Sequence, residues 1–74
     1  LLEPEEELNL KIGKKVRVLR SENRLTLRQL AERTNLSVSL ISQIERAESA
    51  ASISTLNKIV TALNISLKDL FEDI

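Results

Sequence analysis

Residues 26–46 read TLRQLAERTNLSVSLISQIER, a pattern that predicts two short helices joined by a tight turn. Thr26 begins a Thr-x-x-Gln capping box, which marks the start of a helix. Asn35 tolerates the left-handed backbone that a helix exit needs, and Ser37 can cap the second helix. The small Ala31 allows the two helices to approach each other closely. A helix, a short turn and a helix in this order form the helix-turn-helix pattern.

Capping signals and apolar periodicity predict three further helices, one before this stretch and two after it. The first should begin after an N-cap at Asn9 and run to about Glu22. Ser52 can cap a fourth helix, and Ser66 can open a short fifth helix through a second capping box. The residues expected to face the core are Ile12, Val16, Leu19, Leu27, Leu30, Ile41, Ile44, Ile53, Leu56, Ile59, Val60, Leu63, Leu67, Leu70 and Phe71. The predicted fold is therefore all-α, a compact arrangement of five helices.

Chain length and N-terminal composition indicate how the chain is organised. Seventy-four residues suffice for one domain with a small core. Residues 1–8 contain Pro4 and four glutamates. They form either a mobile acidic tail or the acidic first turn of a helix, which the helix dipole favours. Residues 9–74 are predicted to form the folded domain. Gly13 lies inside the first predicted helix, where glycine costs about 1 kcal/mol relative to alanine, so we expect close packing near it.

The composition argues against several classes of function. Cysteine and histidine are both absent, which removes the commonest metal ligands, the cysteine nucleophile and the usual general base. The sequence contains neither a glycine-rich phosphate loop nor converging carboxylates, so we expect no enzymatic activity, no metal and no cofactor. A single phenylalanine argues against binding single strands by base stacking. No apolar run approaches the ~20 residues of a membrane span, and we expect a cytoplasmic protein.

Charge is unevenly distributed along a chain whose net charge is zero. Residues 1–10 carry four acids and no base, a net charge of −4. Residues 11–46 carry nine bases and three acids, a net charge of +6, and residues 47–74 carry two bases and four acids, a net charge of −2. The helix-turn-helix and the helix before it therefore form a basic block. Charge alone leaves two alternatives for this block, a DNA-binding face or a solvated helical surface.

Two segments resemble the Cro/C1 (XRE) family of bacterial and phage transcriptional regulators, namely LRQLAERTNLSVSLISQIER (27–46) and SISTLNKIVTALNISLKDLF (52–71). The resemblance runs from about Ile12 to Phe71. It implies a lambda-repressor-like domain that inserts helix 3, about residues 37–46, into the major groove of double-stranded DNA. It also implies a homodimer on a pseudo-palindromic operator, in the bacterial cytoplasm or nucleoid. Members of this family often carry a C-terminal sensor domain, which could follow the end of this chain.

The outward face of helix 3 is the candidate for reading bases. Helical spacing turns Ser39, Ser42 and Gln43 away from the inward isoleucines, with Val38 at the edge. Glutamine can contact adenine with two hydrogen bonds, serine can serve either base type, and valine can pack on a thymine methyl group. The resemblance assigns base reading to these four residues. The alternative is that they form an ordinary polar surface.

Phosphate binding is predicted for basic side chains and for two helix N-termini near this face. The N-termini at Thr26 and Ser37 offer free amide groups and positive dipole ends. Arg28 lies in the first turn of helix 2, and Arg46 could reach the DNA backbone from the end of helix 3. The complete predicted set is Lys14, Arg17, Arg24, Thr26, Arg28, Ser37 and Arg46.

The resemblance also identifies departures and one ion pair. Leu27 stands where the family commonly has a phosphate-clamping glutamine, and Ala47 and Ala51 stand where it usually has glycine and proline. If the backbone at Ala47 has a positive φ, it costs about 1 kcal/mol. In the family the positions of Arg20 and Glu45 form a partly buried ion pair that links helix 1 to helix 3. The alternative is two unrelated surface charges.

Two functions remain open at this point. The first is a sequence-specific, double-stranded DNA-binding transcriptional regulator. The second is a protein-interaction module on the same fold, of the antitoxin or bridging-factor type. Salt dependence separates them, because binding through roughly six phosphates weakens steeply as salt rises.

Overall fold

The computed structural model describes all 74 residues, Leu1–Ile74, and contains five α-helices and no strand. In chain order the helices are α1 (Pro4–Glu22), α2 (Leu27–Thr34), α3 (Val38–Glu45), α4 (Ile53–Ala62) and α5 (Leu67–Phe71). The prediction of a compact, all-α, five-helix fold is confirmed. None of these helices combines the length and the apolarity that crossing a bilayer requires.

The start of α1 differs from the prediction, because the helix begins at Pro4 and not after an N-cap at Asn9. The N-cap is Glu3, whose amide donates a hydrogen bond to the Glu6 carboxylate (3.1 Å). Proline suits the first helical position, where its missing N–H is not needed. Carboxylates in the first turn are stabilised by the helix dipole. These signals together outweigh the capping tendency of an asparagine, and the acidic segment becomes the first turn of a longer helix.

The helix-turn-helix forms from local hydrogen bonds, as predicted. Thr26 Oγ1 accepts a hydrogen bond from the Gln29 amide (3.0 Å), and the Gln29 side chain accepts one from the Thr26 amide (2.8 Å). The first helix of the motif ends at Asn35, whose φ of 59° is left-handed. Ser37 then caps α3 by accepting a hydrogen bond from the Leu40 amide (3.0 Å). Each partner lies within three residues of the other, so these boundaries depend on short sequence signals alone.

A single hydrophobic core lies among the helices. Its buried members are Ile12, Val16, Leu25, Leu30, Ala31, Ile41, Ile44, Leu56, Ile59, Val60, Leu63 and Leu70. Ile53 was also expected to face the core, and this prediction is wrong, because the residue is 62% exposed. It occupies the first position of α4, one turn before Leu56. Helical periodicity indicates the direction of a side chain, but it does not indicate whether another element reaches far enough to cover it.

Gly13 is the point of closest approach between α1 and α3. A Cβ atom at this position would lie 2.5 Å from the carbonyl oxygen of Ile44 and 2.7 Å from that of Glu45. Both neighbours are backbone atoms, so they cannot move aside as a flexible side chain could. The expected close packing near Gly13 is confirmed, and it sets the last turn of α3 directly against α1.

The exit from α3 has the left-handed residue predicted at Ala47, whose φ is 59°. The Ala47 amide donates to the Ile44 carbonyl (3.1 Å), and the Glu48 amide donates to the Gln43 carbonyl (2.8 Å). These two hydrogen bonds form a Schellman motif, in which glycine is the usual residue at the left-handed position. Alanine therefore carries strain of about 1 kcal/mol at this site.

We expect the substitution Ala47→Gly to stabilise the domain slightly. Glycine removes about 1 kcal/mol of strain but enlarges the unfolded ensemble by roughly 0.4–1 kcal/mol. The free energy of unfolding in urea should therefore rise by between zero and about 1 kcal/mol. Ala50 lies in the same loop without a positive φ, so Ala50→Gly is the matched control and should destabilise. Equal losses from both substitutions would contradict the strain at Ala47.

Candidate nucleic-acid interface

The second helix of the motif, α3, buries one face and exposes the other. Its two inward isoleucines belong to the core. Among the four predicted base-reading residues, Val38, Ser39 and Gln43 are exposed. Ser42 is half-buried and borders a depression between α1, α2 and α3. Three of the four residues therefore share the open face of α3, and the fourth lies at its edge.

The depression beside Ser42 has a volume of about 210 Å³. It is lined by Arg17, Arg20, Leu27, Ser42, Glu45 and Arg46. Arg20 and Glu45 pair with each other and Arg46 pairs with Glu48, so the unpaired charge that faces solvent here is the guanidinium of Arg17. This arrangement can accept an anion at the side of α3.

The predicted phosphate-binding arginines differ in whether they already form an ion pair. Arg17, Arg24 and Arg28 are exposed, and none forms an ion pair. Arg24 lies in the turn between α1 and α2, with a φ of 57°. Arg46 does form an ion pair, with its Nη1 lying 3.0 Å from Oε2 of Glu48. The first three are therefore free to meet a phosphate, whereas Arg46 already has an anionic partner.

Lys14 borders a second groove on α1, together with Val18 and Ile74. It lies three residues before Arg17, which places it about 60° around the axis of α1. Lys14 and Arg17 are therefore neighbours on the surface of α1, and each borders a different groove.

Two helix N-termini with free amide groups lie at this surface. At α2 the capping box satisfies the amides of Thr26 and Gln29, which leaves those of Leu27 and Arg28 without partners. At α3 the Ser37 cap binds the amide of Leu40, and the first two helical amides are likewise left free. The predicted hydroxyls of Thr26 and Ser37 thus act as caps, and the free donors are the amides that follow them.

Arg20 joins three elements through a partly buried ion pair with Glu45. Its Nε lies 2.7 Å from Oε2 of Glu45, its Nη2 lies 3.1 Å from Oε1, and its Nη1 donates to the Leu25 carbonyl (2.7 Å). The two side chains are only 14% and 6% exposed. The hydrogen bond to Glu45, with its negative charge, raises the pKa of Arg20 against the opposing effect of burial. The pair ties α1 and the loop before α2 to the last turn of α3.

Sequence reasoning missed the part played by Glu48. Glu48 lies two positions after Arg46, and its carboxylate pairs with that residue in the structure. The spacing Arg-x-Glu was a visible signal. Its geometry depends on the left-handed turn at Ala47, which returns the chain over the end of α3.

The fold and this surface place the chain in the class of helix-turn-helix proteins. In that class the second helix of the motif is exposed so that it can enter the major groove. The chain belongs to the HTH_3 helix-turn-helix family, whose sequence model matches residues 14–70. This match confirms the resemblance to Cro/C1-type regulators. The chain is 41% identical over 56 residues to an immunity repressor protein of Bacillus phage phi105. The match covers 76% of this chain and 39% of that repressor, so the chain spans about two fifths of its relative's length.

Solved structures of similar proteins share the fold at 32% identity. The restriction-modification controller protein C.AhdI from Aeromonas hydrophila superimposes with a TM-score of 0.83, over 85% of this chain and 96% of that one. A structure of the nucleoprotein complex of C.Esp1396I superimposes with a TM-score of 0.80, over 88% of this chain and 84% of that one. The lambda-repressor-like fold expected from the sequence is confirmed.

We expect truncation of either partner of the Arg20–Glu45 pair to destabilise the domain strongly. Arg20→Ala or Glu45→Ala leaves a charge unpaired in a largely buried site, at a cost of about 3–5 kcal/mol. The double substitution should cost less than the two single losses combined. The exposed pair Arg46–Glu48 provides a control of the same chemistry, whose truncations should cost less than about 1 kcal/mol each. Strict additivity at Arg20 and Glu45 in urea unfolding would rule out their coupling.

Proposed function

We propose that this domain is a sequence-specific transcriptional regulator that binds double-stranded DNA by inserting α3 into the major groove. The observation that carries the proposal is the open face of α3, bordered by the unpaired Arg17 and by two helix N-termini, with the unpaired Arg24 and Arg28 close to the start of α2. An α-helix fits the major groove, where base edges can be distinguished. The relative called an immunity repressor and the neighbour solved as a nucleoprotein complex support the same function.

In this proposal the exposed residues of α3 contact the base edges. Gln43 can contact adenine with two hydrogen bonds, and Ser39 can hydrogen-bond either base type. Val38, which is 41% exposed, can pack on a thymine methyl group at the start of the helix. Ser42 is half-buried beside the arginine-lined depression. Its hydroxyl therefore lies at the boundary between a base contact and a phosphate contact.

Phosphates are held beside α3, at the N-terminus of α2, in this proposal. One phosphate would meet the free amides of Leu27 and Arg28 together with the guanidinium of Arg17, since the depression lies beside the α2 N-terminus. The Leu27 amide would thus act where the family commonly uses a glutamine side chain. Arg24 and Arg28 would contact the neighbouring backbone. Lys14, three residues before Arg17 on α1, would add positive charge beside this phosphate.

The complete regulator is proposed to be a homodimer in the bacterial cytoplasm or nucleoid. Helix-turn-helix dimers bind two half-sites about one turn of DNA apart, so the operator mirrors the two-fold symmetry of the protein. Enrichment from random DNA should therefore recover inverted repeats with half-site centres about 10 base pairs apart. Recovery of single, asymmetric sites would contradict the dimer but leave the DNA-binding function standing.

We expect substitutions on α3 and at its rim to have different effects. Arg17→Glu should weaken binding to every duplex and make the dependence on salt less steep, because a phosphate contact is lost. Gln43→Ala should weaken binding only to the preferred site, by about 1–3 kcal/mol. Fluorescence anisotropy titrations over a range of salt concentrations would measure both effects.

Arg33→Glu is the matched charge reversal, because Arg33 lies at the other end of α2, in a groove formed with α4. It should change affinity much less than Arg17→Glu. Equal losses on specific and random duplexes for Gln43→Ala would remove this residue from the base-reading set. Absence of any salt-dependent binding to DNA would favour the protein-interaction module over the regulator.

A further inference from the structure

Arg46, at the end of α3, forms a solvent-exposed ion pair with a carboxylate. Its Nη1 lies 3.0 Å from Oε2 of Glu48, and the two side chains are 57% and 52% exposed. Its Nε also donates to the Ser42 carbonyl, at 3.3 Å. These two contacts hold the guanidinium of Arg46 against the end of α3. Arg17 lines the same depression and has no carboxylate partner.

The backbone fixes Glu48 in this position. The left-handed Ala47 reverses the chain, and the Glu48 amide then donates to the carbonyl of Gln43 (2.8 Å). Glu48 is thus attached to the last turn of the helix that carries the proposed base-reading residues. The turn therefore sets the position of the Glu48 backbone, from which the side chain reaches Arg46.

The placement of Glu48 is not explained by stability. A carboxylate near the C-terminus of a helix is unfavourable, because the helix dipole is negative there. The other carboxylate in that turn, Glu45, is compensated by its bidentate pair with Arg20. Glu48 has only an exposed ion pair, and such pairs contribute little to folding. What this carboxylate does change is the electrostatic field at the DNA-facing rim.

We propose that Glu48 is an internal competitor for DNA, which occupies Arg46 in the free protein in place of a backbone phosphate. This inference rests on the proposed function. A phosphate approaching the end of α3 must displace the Glu48 carboxylate from Arg46 and then remain close to a negative charge. Arg17, Arg24 and Arg28 bind phosphates without this competition. Glu48 therefore lowers the sequence-independent part of DNA affinity, which is shared by the preferred site and by any other duplex.

The test uses Glu48→Gln, which removes the charge and keeps the shape of the side chain. Affinity for a duplex of mixed sequence should rise by about two- to tenfold at low salt. The slope of log affinity against log salt should become steeper by up to about 0.9, the value of one further phosphate contact on duplex DNA. The preferred site and the mixed duplex should gain together, so the ratio of their affinities should not increase.

Two comparisons separate this inference from simpler effects. Glu32→Gln removes an exposed carboxylate of α2 that has no ion-pair partner, and it measures the effect of net charge alone. Glu48→Gln should exceed it in the normal background and should match it in an Arg46→Gln background. A gain that is the same in both backgrounds would overturn the role of Arg46. A loss of affinity would mean that Glu48 aligns Arg46 for DNA, and it would also overturn the inference.

The experiment distinguishes failure of the proposed function from failure of the proposed role of Glu48. If the unaltered chain binds duplex DNA in a salt-dependent manner and Glu48→Gln changes nothing, competition by Glu48 is refuted and DNA binding stands. If the unaltered chain does not bind duplex DNA at all, both are refuted. Urea unfolding of each variant should show the same midpoint as the unaltered chain, because exposed ion pairs contribute little to stability, so the changes in affinity will not arise from unfolding.

Discussion

The contact between α1 and the last turn of α3 determines how the proposed recognition surface is presented. Gly13 lets the two backbones meet, since a single added carbon would lie 2.5 Å from a carbonyl oxygen. Arg20 then holds the same turn through Glu45 and the loop before α2 through the Leu25 carbonyl. Close backbone packing at Gly13 and the Arg20–Glu45 ion pair therefore both act on the last turn of α3. Together they set the angle at which α3 leaves the core, and with it the positions of the exposed residues on its outer face.

Electrostatics explains how a chain with no net charge can carry a surface suited to DNA. Five of the eleven acidic side chains are placed where they serve the fold: four glutamates lie at the N-terminal end of α1, where the helix dipole stabilises them, and Glu45 is neutralised inside an ion pair. Arg17, Arg24 and Arg28 are left unpaired, whereas Arg46 pairs with Glu48. Salt-dependent attraction to DNA depends on such local fields more than on the total charge of the chain.

The two carboxylates at the end of α3 illustrate how the same residue type acquires different roles. Glu45 is 6% exposed and accepts two hydrogen bonds from one edge of the Arg20 guanidinium, so it is a structural group. Glu48 is half exposed and shares one contact with Arg46, so it affects the protein mainly through its field. Only the left-handed turn between them, at Ala47, separates these environments. Small changes in this turn would alter the charge at the recognition surface while leaving the core intact.

The sequence by itself determined the helices and the motif, because capping boxes, left-handed asparagines and apolar periodicity act over only a few residues. Thr26, Asn35 and Ser66 were sufficient for three such boundaries. The prediction of where α1 begins was wrong because two local signals competed. Pro4 and its acidic neighbours start the helix before Asn9 can cap it. Only the tertiary structure decided that Ile53 is uncovered, that Lys14 and Arg17 border different grooves, and that Glu48 meets Arg46. Those facts depend on where different elements end relative to one another in space, which no short-range pattern of residues specifies.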